Sequence, residues 1–113
     1  MLPKKNRLRK KDDFQKVYQK GFFSAFGDIS LKKLPNNLSM TRIGFIVEKK
    51  IFKKAVERNR IKRILRDFFR KNIFKITPGL DVVIFYKSKD WEIDSKKITL
   101  DLEKLLKKTN LIR

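Results

Sequence analysis

The chain has 113 residues, with 31 Lys and Arg against 12 Asp and Glu, and its formal net charge of +19 favours polyanionic partners: nucleic acid, an anionic membrane or an acidic protein. It contains no Cys and no His, which excludes disulfides, thiolate or imidazole metal sites and the usual general base near neutral pH. Apolar residues make up 41% of the sequence, enough for one modest core, so we expect a single domain over residues 1–113.

The N-terminal part predicts a basic arm followed by a short helix. Six of the eight residues 4–11 are Lys or Arg, and this run predicts a mobile arm over residues 1–11. A helix is predicted over residues 12–20, because two acids open it and apolar residues then recur at helical spacing until Gly21. The recurring residues are Phe14, Val17 and Tyr18.

The absence of long apolar stretches bears on location. The N-terminus has no apolar run of signal-peptide length, and no window approaches the roughly 20 apolar residues of a membrane-spanning helix. We therefore expect a cytoplasmic protein without a membrane partner.

The centre of the chain predicts two strands and a long helix. Residues 22–34 are rich in aromatic and apolar residues and predict one strand that is interrupted near Gly27. A turn signal at residues 35–37 precedes a second strand over residues 42–47, in which alternate residues are apolar. Residues 53–71 predict the longest helix of the chain.

That helix divides into an apolar stripe and a cationic face when residues are placed about 100° apart. The stripe consists of Ile61, Ile64, Leu65, Phe68 and Phe69. The opposite side carries Asn59, Arg63, Arg66 and Arg70, with Lys62 at its margin. A buried strand over residues 81–87 and a last helix, capped at residues 94–95, complete the predicted order α-β-β-α-β-α. The apolar face of the last helix is formed by Ile98, Leu102, Leu105 and Leu106.

The cationic face of this helix indicates what the protein binds. Residues 42–71 contain twelve Lys and Arg but only three acids, Glu48, Glu57 and Asp67. Like charges at helical spacing repel, so a face with so few counter-charges is typical of a surface that binds a polyanion rather than water alone. Arginine binds a phosphate with two parallel hydrogen bonds and also stacks on bases, so an arginine-rich face favours RNA as the polyanionic partner.

One stretch resembles a known family. Residues 42–70 read RIGFIVEKKIFKKAVERNRIKRILRDFFR and are similar to the signature segment of the bacterial ribonuclease P protein subunit, in which a strand ending in two lysines precedes an Arg-Asn-Arg helix. The N-terminal residues match as well, and the similarity covers nearly the whole chain. The residues that carry it are Asn6, Arg7, Leu8, Asp13, Phe14, Gln15, Lys16, Val17, Tyr18, Gly21, Lys49, Lys50, Arg58, Asn59, Arg60, Ile61, Lys62 and Arg63.

The resemblance implies a fold and a function. The expected fold is a single-domain α+β sandwich with a three- or four-stranded sheet, an open cleft and a left-handed β-α-β crossover. The expected function is that of the protein subunit of ribonuclease P, which binds the catalytic RNA and the 5′ leader of precursor tRNA. In such a holoenzyme the RNA performs catalysis with Mg²⁺ that it holds itself, so the protein, a monomer in a 1:1 complex, contributes no catalytic residue and binds no cofactor alone.

The resemblance also assigns residues to two surfaces. The RNA-binding set is Arg7, Arg9, Lys49, Lys50, Lys53, Lys54, Arg58, Asn59, Arg60, Lys62, Arg63 and Arg66. The resemblance places Phe14 and Tyr18 in the leader-binding cleft. Tyr86 and Lys87 are expected to line the same cleft because they end the last predicted strand, and core packing is an alternative for Phe14 and Tyr86. The sequence departs from the family pattern at Glu48, which replaces a small residue beside the proposed RNA surface.

Two other classes of function remain as alternatives. A ribosomal or other structural RNA-binding protein would explain the charge equally well. A stand-alone nuclease would need converging carboxylates as metal ligands, and the scattered candidates are Asp12, Asp13, Asp28 and Asp81.

Overall fold

Helices cover both faces of a mixed sheet in the computed structural model, which describes residues 2–48, 54–87 and 93–112. These residues form three α-helices and four strands, with single 3₁₀ turns at Lys4–Asn6 and Ile73–Lys75. In chain order the elements are α1 (Lys11–Lys20), β1 (Phe22–Phe26), β2 (Ile29–Pro35), β3 (Arg42–Val47), α2 (Ala55–Lys71), β4 (Leu80–Tyr86) and α3 (Ser95–Lys108).

The strands are ordered β1-β2-β4-β3 across the sheet. The pairs β1–β2 and β2–β4 are antiparallel, whereas β3 and β4 are parallel neighbours joined through α2. This parallel connection is the crossover that the family resemblance implies, and its left-handedness stays a prediction.

The single strand predicted over residues 22–34 is wrong. The chain reverses through Gly27 and Asp28, and Phe26 pairs with Ile29, so the segment is a hairpin of β1 and β2. Gly27 has φ 60°, a conformation that glycine adopts without strain and that suits a tight hairpin turn. The interruption expected near Gly27 is therefore a chain reversal, and the observed order is α-β-β-β-α-β-α.

The main core lies between one face of the sheet and the two longer helices. In α2 the predicted stripe is confirmed, since Ile61, Leu65 and Phe69 are buried while Ile64 and Phe68 are partly buried and pack against the core. In α3 the predicted apolar residues are all buried. Because α2 and α3 both pack on this face, α1 is the one described helix on the opposite face.

The opposite face carries a smaller cluster beneath α1. Leu8, Val17 and Val83 are buried there, and Phe14 packs against them. A Cβ atom at Gly44 of β3 would overlap with the Phe14 ring, so glycine allows α1 to approach this strand closely. A helix of ten residues spans only about 15 Å, so α1 covers only part of this sheet face.

The N-terminal arm differs from the mobile segment that its charge predicts. Leu2 and Leu8 are 0% and 4% exposed, and the Leu8 N–H donates to the Ile43 carbonyl at 3.0 Å. The Asn6 side-chain amide donates to the Thr41 carbonyl at 2.9 Å. The apolar residues among the basic ones thus dock the arm along the outer edge of β3, and they outweigh the charge repulsion.

Candidate nucleic-acid interface

A cleft of ≈ 360 Å³ opens on the α1 side of the sheet, and we call it the aromatic cleft. Side chains alternate along a strand, so register decides which of them reach it. Ser30 of β2, Phe85 of β4 and Ile46 of β3 stand in one row across the sheet. The lining residues are Tyr18, Phe23, Ser30, Lys32, Ile46, Glu48, Phe85, Tyr86 and Lys87.

Tyr18 is held in place while most of its surface faces solvent. Its ring lies edge-to-face with Phe85, with 6.4 Å between the ring centroids, yet the residue is 61% exposed. The Lys32 ammonium lies 4.0 Å from the centroid of the Tyr18 ring and donates to the Tyr18 main-chain carbonyl at 2.7 Å. An ordered, exposed aromatic ring beside a cation is the arrangement that binds unpaired bases of a nucleic acid strand.

Lys87 and Glu48 form the far rim of the aromatic cleft. The Lys87 ammonium lies 3.7 Å from the Glu48 carboxylate, and the Lys87 side chain is 72% exposed. The Lys87 main-chain N–H donates to the Asp28 carbonyl at 3.0 Å, which anchors the rim to the β1–β2 turn. The cleft therefore has a cation on each side.

Of the four residues predicted for the cleft, three line it and two of these have exposed side chains. Tyr18 and Lys87 line it with exposed side chains. Tyr86 borders it but is 5% exposed and packs in the main core. Phe14 lies in the cluster beneath α1 and lines a different pocket. Phe14 and Tyr86 therefore both pack against buried residues, which is the core-packing alternative stated for them.

Sequence reasoning did not assign six of the lining residues to the cleft: Phe23, Ser30, Lys32, Ile46, Glu48 and Phe85. Phe85 and Lys32 could be placed on this face by strand alternation once β2 and β4 are paired, but that pairing is not visible in the sequence. Phe23 depends on recognising the β1–β2 hairpin. Ile46 was predicted within a strand, but it faces away from the main core and is 40% exposed.

The Arg-Asn-Arg segment occupies the outward face of α2. Asn59, Arg60, Arg63 and Arg66 are exposed, and Lys54 is exposed just before the helix. Arg58 and Lys62 are half-buried at the margin of this face. Lys49, Lys50 and Lys53 lie outside the described residues.

Charges are matched at the C-terminal end of α2, whereas two arginines of its outward face have no carboxylate partner among the described residues. Asp67 accepts a hydrogen bond from Arg70 at 2.7 Å and pairs with Lys71 at 3.1 Å. The pKa of the Asp67 carboxyl is lowered. The hydrogen bond from Arg70 makes the largest contribution and the bond from Lys71 the next largest. Within residues 2–48, 54–87 and 93–112, by contrast, Arg60 and Arg63 pair with no carboxylate.

The N-terminal arm joins this cationic face. Arg7 and Arg9 of the arm and Arg66 of α2 line a common pocket of ≈ 300 Å³ beside β3. The Arg7 guanidinium donates to the Leu2 carbonyl at 2.8 Å, which holds it against the fold. We call the combined set the basic surface: Arg7, Arg9, Lys54, Arg58, Asn59, Arg60, Lys62, Arg63 and Arg66.

The carboxylates proposed for a nuclease do not form a metal site. Asp13 and Asp81 both approach Arg42, at 3.4 and 2.7 Å, and the Asp81 hydrogen bond raises the pKa of the Arg42 guanidinium. Asp28 pairs with Lys97 at 3.6 Å at the opposite end of the sheet. In the described part of the chain, no three acidic side chains are placed to hold a metal ion.

Among the described helices, none combines the length and the hydropathy that a membrane-spanning segment needs.

Comparison with known proteins identifies the family. The family model described as Ribonuclease P matches residues 2–110. The ribonuclease P protein component of Pseudanabaena sp. is 40% identical over 113 residues, which cover 99% of this chain and 97% of that protein. That of Caldanaerobacter subterraneus is 40% identical over 111 residues, with 98% and 95% covered.

Solved structures confirm the α+β fold. The RNase P protein of Staphylococcus aureus superimposes with a TM-score of 0.87 at 28% identity, over 96% of this chain and 98% of that chain. The RNase P protein of Thermotoga maritima gives a TM-score of 0.80 at 29% identity, with 90% and 96% covered. On the match over residues 2–110, the chain belongs to the ribonuclease P protein family.

Proposed function

We propose that the chain is the protein subunit of ribonuclease P and assists removal of the 5′ leader from precursor tRNA. The observation that supports this proposal is that an aromatic cleft and a cationic surface lie on different sides of one small fold. The aromatic cleft lies on the α1 face, and the basic surface lies on α2 and the β3 edge. A protein with this arrangement can hold two RNA segments at once.

The basic surface suits the catalytic RNA. Arg60 and Arg63 have no carboxylate partners among the described residues, so they are available to neutralise phosphates, and each neutralised phosphate releases counterions. The protein thereby reduces the repulsion between the catalytic RNA and its RNA substrate. A structured RNA with closely spaced phosphates matches the row of cations along α2.

The aromatic cleft suits the leader. A 5′ leader is single-stranded, and its unpaired bases can stack on Tyr18 with little dependence on sequence. Mature tRNA lacks the leader, so this contact favours binding of the precursor. Lys32, beside Tyr18, can meet the phosphate next to a stacked base, whereas Lys87 on the other side of the cleft pairs with Glu48.

Catalysis in this proposal belongs to the RNA subunit. The described carboxylates do not fit a magnesium ion, since two of them converge on Arg42 and another pairs with Lys97. In this proposal any magnesium in the holoenzyme is held by the RNA. A cytoplasmic location is part of the same proposal, because precursor tRNA is processed there in bacteria.

Stoichiometry and partner choice test the proposal against a general structural RNA-binding role. We expect one protein to bind one bacterial ribonuclease P RNA, measured by native mass spectrometry, because like-charged copies repel each other. An excess of ribosomal RNA should not displace the ribonuclease P RNA. Equal affinity for both RNAs would favour the structural RNA-binding alternative.

Asp67→Asn is expected to strengthen binding to ribonuclease P RNA about two- to fivefold at low salt, because it frees Arg70 and Lys71 on the same helix. Arg70 first and Lys71 second lower the pKa of the Asp67 carboxyl, so Asp67 stays ionised and its wild-type pairs persist to more acidic pH than for an isolated aspartate. The affinity is measured by filter binding at low and high salt.

Glu103→Gln on α3 is the matched control, because Glu103 pairs with Lys107 at 3.0 Å with the same i,i+4 spacing. An equal gain from both variants would show that only net charge matters, and would not support a specific role for α2.

A further inference from the structure

Glu48 is the one acidic side chain among the described residues that line the aromatic cleft. It directly follows β3, and its main-chain N–H donates to the Tyr86 carbonyl at 3.4 Å, so the end of the sheet fixes its position. Its side chain is 32% exposed. A carboxylate at this place is unexpected in a cleft that should attract phosphates.

The fold makes little use of this carboxylate. Its ion-pair partner among the described residues is Lys87, at 3.7 Å, and Lys87 is 72% exposed. Exposed pairs of this length contribute little to stability, because water screens them and the lysine side chain loses freedom. The Glu48 oxygens are therefore available to accept hydrogen bonds from a ligand.

The charge of Glu48 limits which part of an RNA strand can lie beside it. Phosphates are repelled by the carboxylate and attracted by Lys32 on the Tyr18 side of the cleft. A base edge that offers N–H donors can instead approach Glu48 while its ring stacks on an aromatic side chain of the cleft. Glu48 thus selects a base edge rather than the backbone.

The four bases differ in what they offer to a carboxylate. Guanine presents N1–H and an N2 amino group side by side, which match the two carboxylate oxygens. Cytosine and adenine present one amino group beside a repelling ring nitrogen, and uracil presents one N–H between two carbonyls. We propose that Glu48 makes the aromatic cleft selective for an unpaired guanine in the leader.

This inference rests on the proposed function, and it is tested with the holoenzyme reconstituted from this chain and a bacterial ribonuclease P RNA. Precursor tRNAs carry guanine, inosine or uracil at each leader position in turn. At one leader position, the precursor that carries guanine should bind about tenfold more tightly than the precursor that carries uracil, as expected for a bidentate contact. Inosine lacks the N2 amino group and should fall between the two.

Glu48→Gln keeps the shape of the side chain but replaces one acceptor by a donor, so it should reduce the preference for guanine to about twofold or less. Glu103→Gln on α3 lies outside the aromatic cleft, and it should retain the full preference. A guanine preference that survives Glu48→Gln, or a wild-type holoenzyme without any such preference, would overturn the inference. Equal binding of precursor and mature tRNA by the wild type would instead refute the proposed leader site itself.

Discussion

Tyr18→Ala is expected to weaken binding of precursor tRNA to the reconstituted holoenzyme about 10- to 100-fold and to leave the affinity for mature tRNA unchanged. Stacking of one base on an aromatic side chain is worth roughly 1–3 kcal/mol, and Tyr18 is the exposed ring of the cleft that a lysine and Phe85 hold in place. Only the precursor carries the leader that we propose for this contact. Equilibrium binding of both RNAs measures the difference.

Phe74→Ala is the matched control for this result. Phe74 is 99% exposed and lines a different pocket, so its removal deletes an aromatic ring without touching the aromatic cleft or the core. Phe14 is not suitable for the same purpose, because its loss would disturb the cluster beneath α1. Equal weakening of precursor and mature tRNA by Tyr18→Ala would contradict the assignment of the leader to this cleft.

The double variant Arg60→Ala with Arg63→Ala is expected to lower the affinity for ribonuclease P RNA and to flatten its salt dependence. Each lost phosphate contact should reduce the slope of log affinity against log salt by about 0.7–0.9. The affinity at moderate salt should fall roughly 10- to 100-fold if both contacts are lost. Both side chains are exposed, so the fold should be preserved.

Lys96→Ala with Lys104→Ala on α3 controls for the loss of two positive charges. Both lysines are exposed and lie outside the basic surface. This control should change the slope much less than the arginine variant. An unchanged slope in the arginine variant would place the RNA-binding surface elsewhere on the protein.

The sequence alone predicts α2 well, because a helix repeats its environment every 3.6 residues. The buried stripe through Ile61, Leu65 and Phe69 and the exposed Arg63 and Arg66 follow from spacing alone. What spacing does not show is which cations are paired. Arg70 belongs to the same predicted face, yet Asp67 engages it.

The aromatic cleft was less predictable, because it is assembled from residues distant in sequence. Phe85 and Ile46 meet only through the parallel pairing of β3 with β4, and Lys32 reaches Tyr18 only because β2 pairs with β4. Family resemblance supplied Tyr18 but also Phe14, which packs beneath α1, and Lys87 was predicted from its place at the end of a strand. Register between distant strands depends on tertiary packing, which local pattern does not encode.

Charge alone does not predict where the N-terminal arm lies. Its six basic residues suggest a solvated segment, whereas two leucines among them determine where it lies. Burial of Leu2 and Leu8 brings Arg7 and Arg9 beside Arg66, so the docked arm extends the basic surface.

Cleavage of a precursor tRNA by a bacterial ribonuclease P RNA at low magnesium, with and without this protein, tests the central claim most directly. We expect accurate 5′ cleavage when both are present and little cleavage by either alone, because the protein offsets phosphate repulsion and holds the leader. If the protein binds the RNA but leaves the cleavage rate and site unchanged, the subunit function is contradicted and the chain is a structural RNA-binding protein.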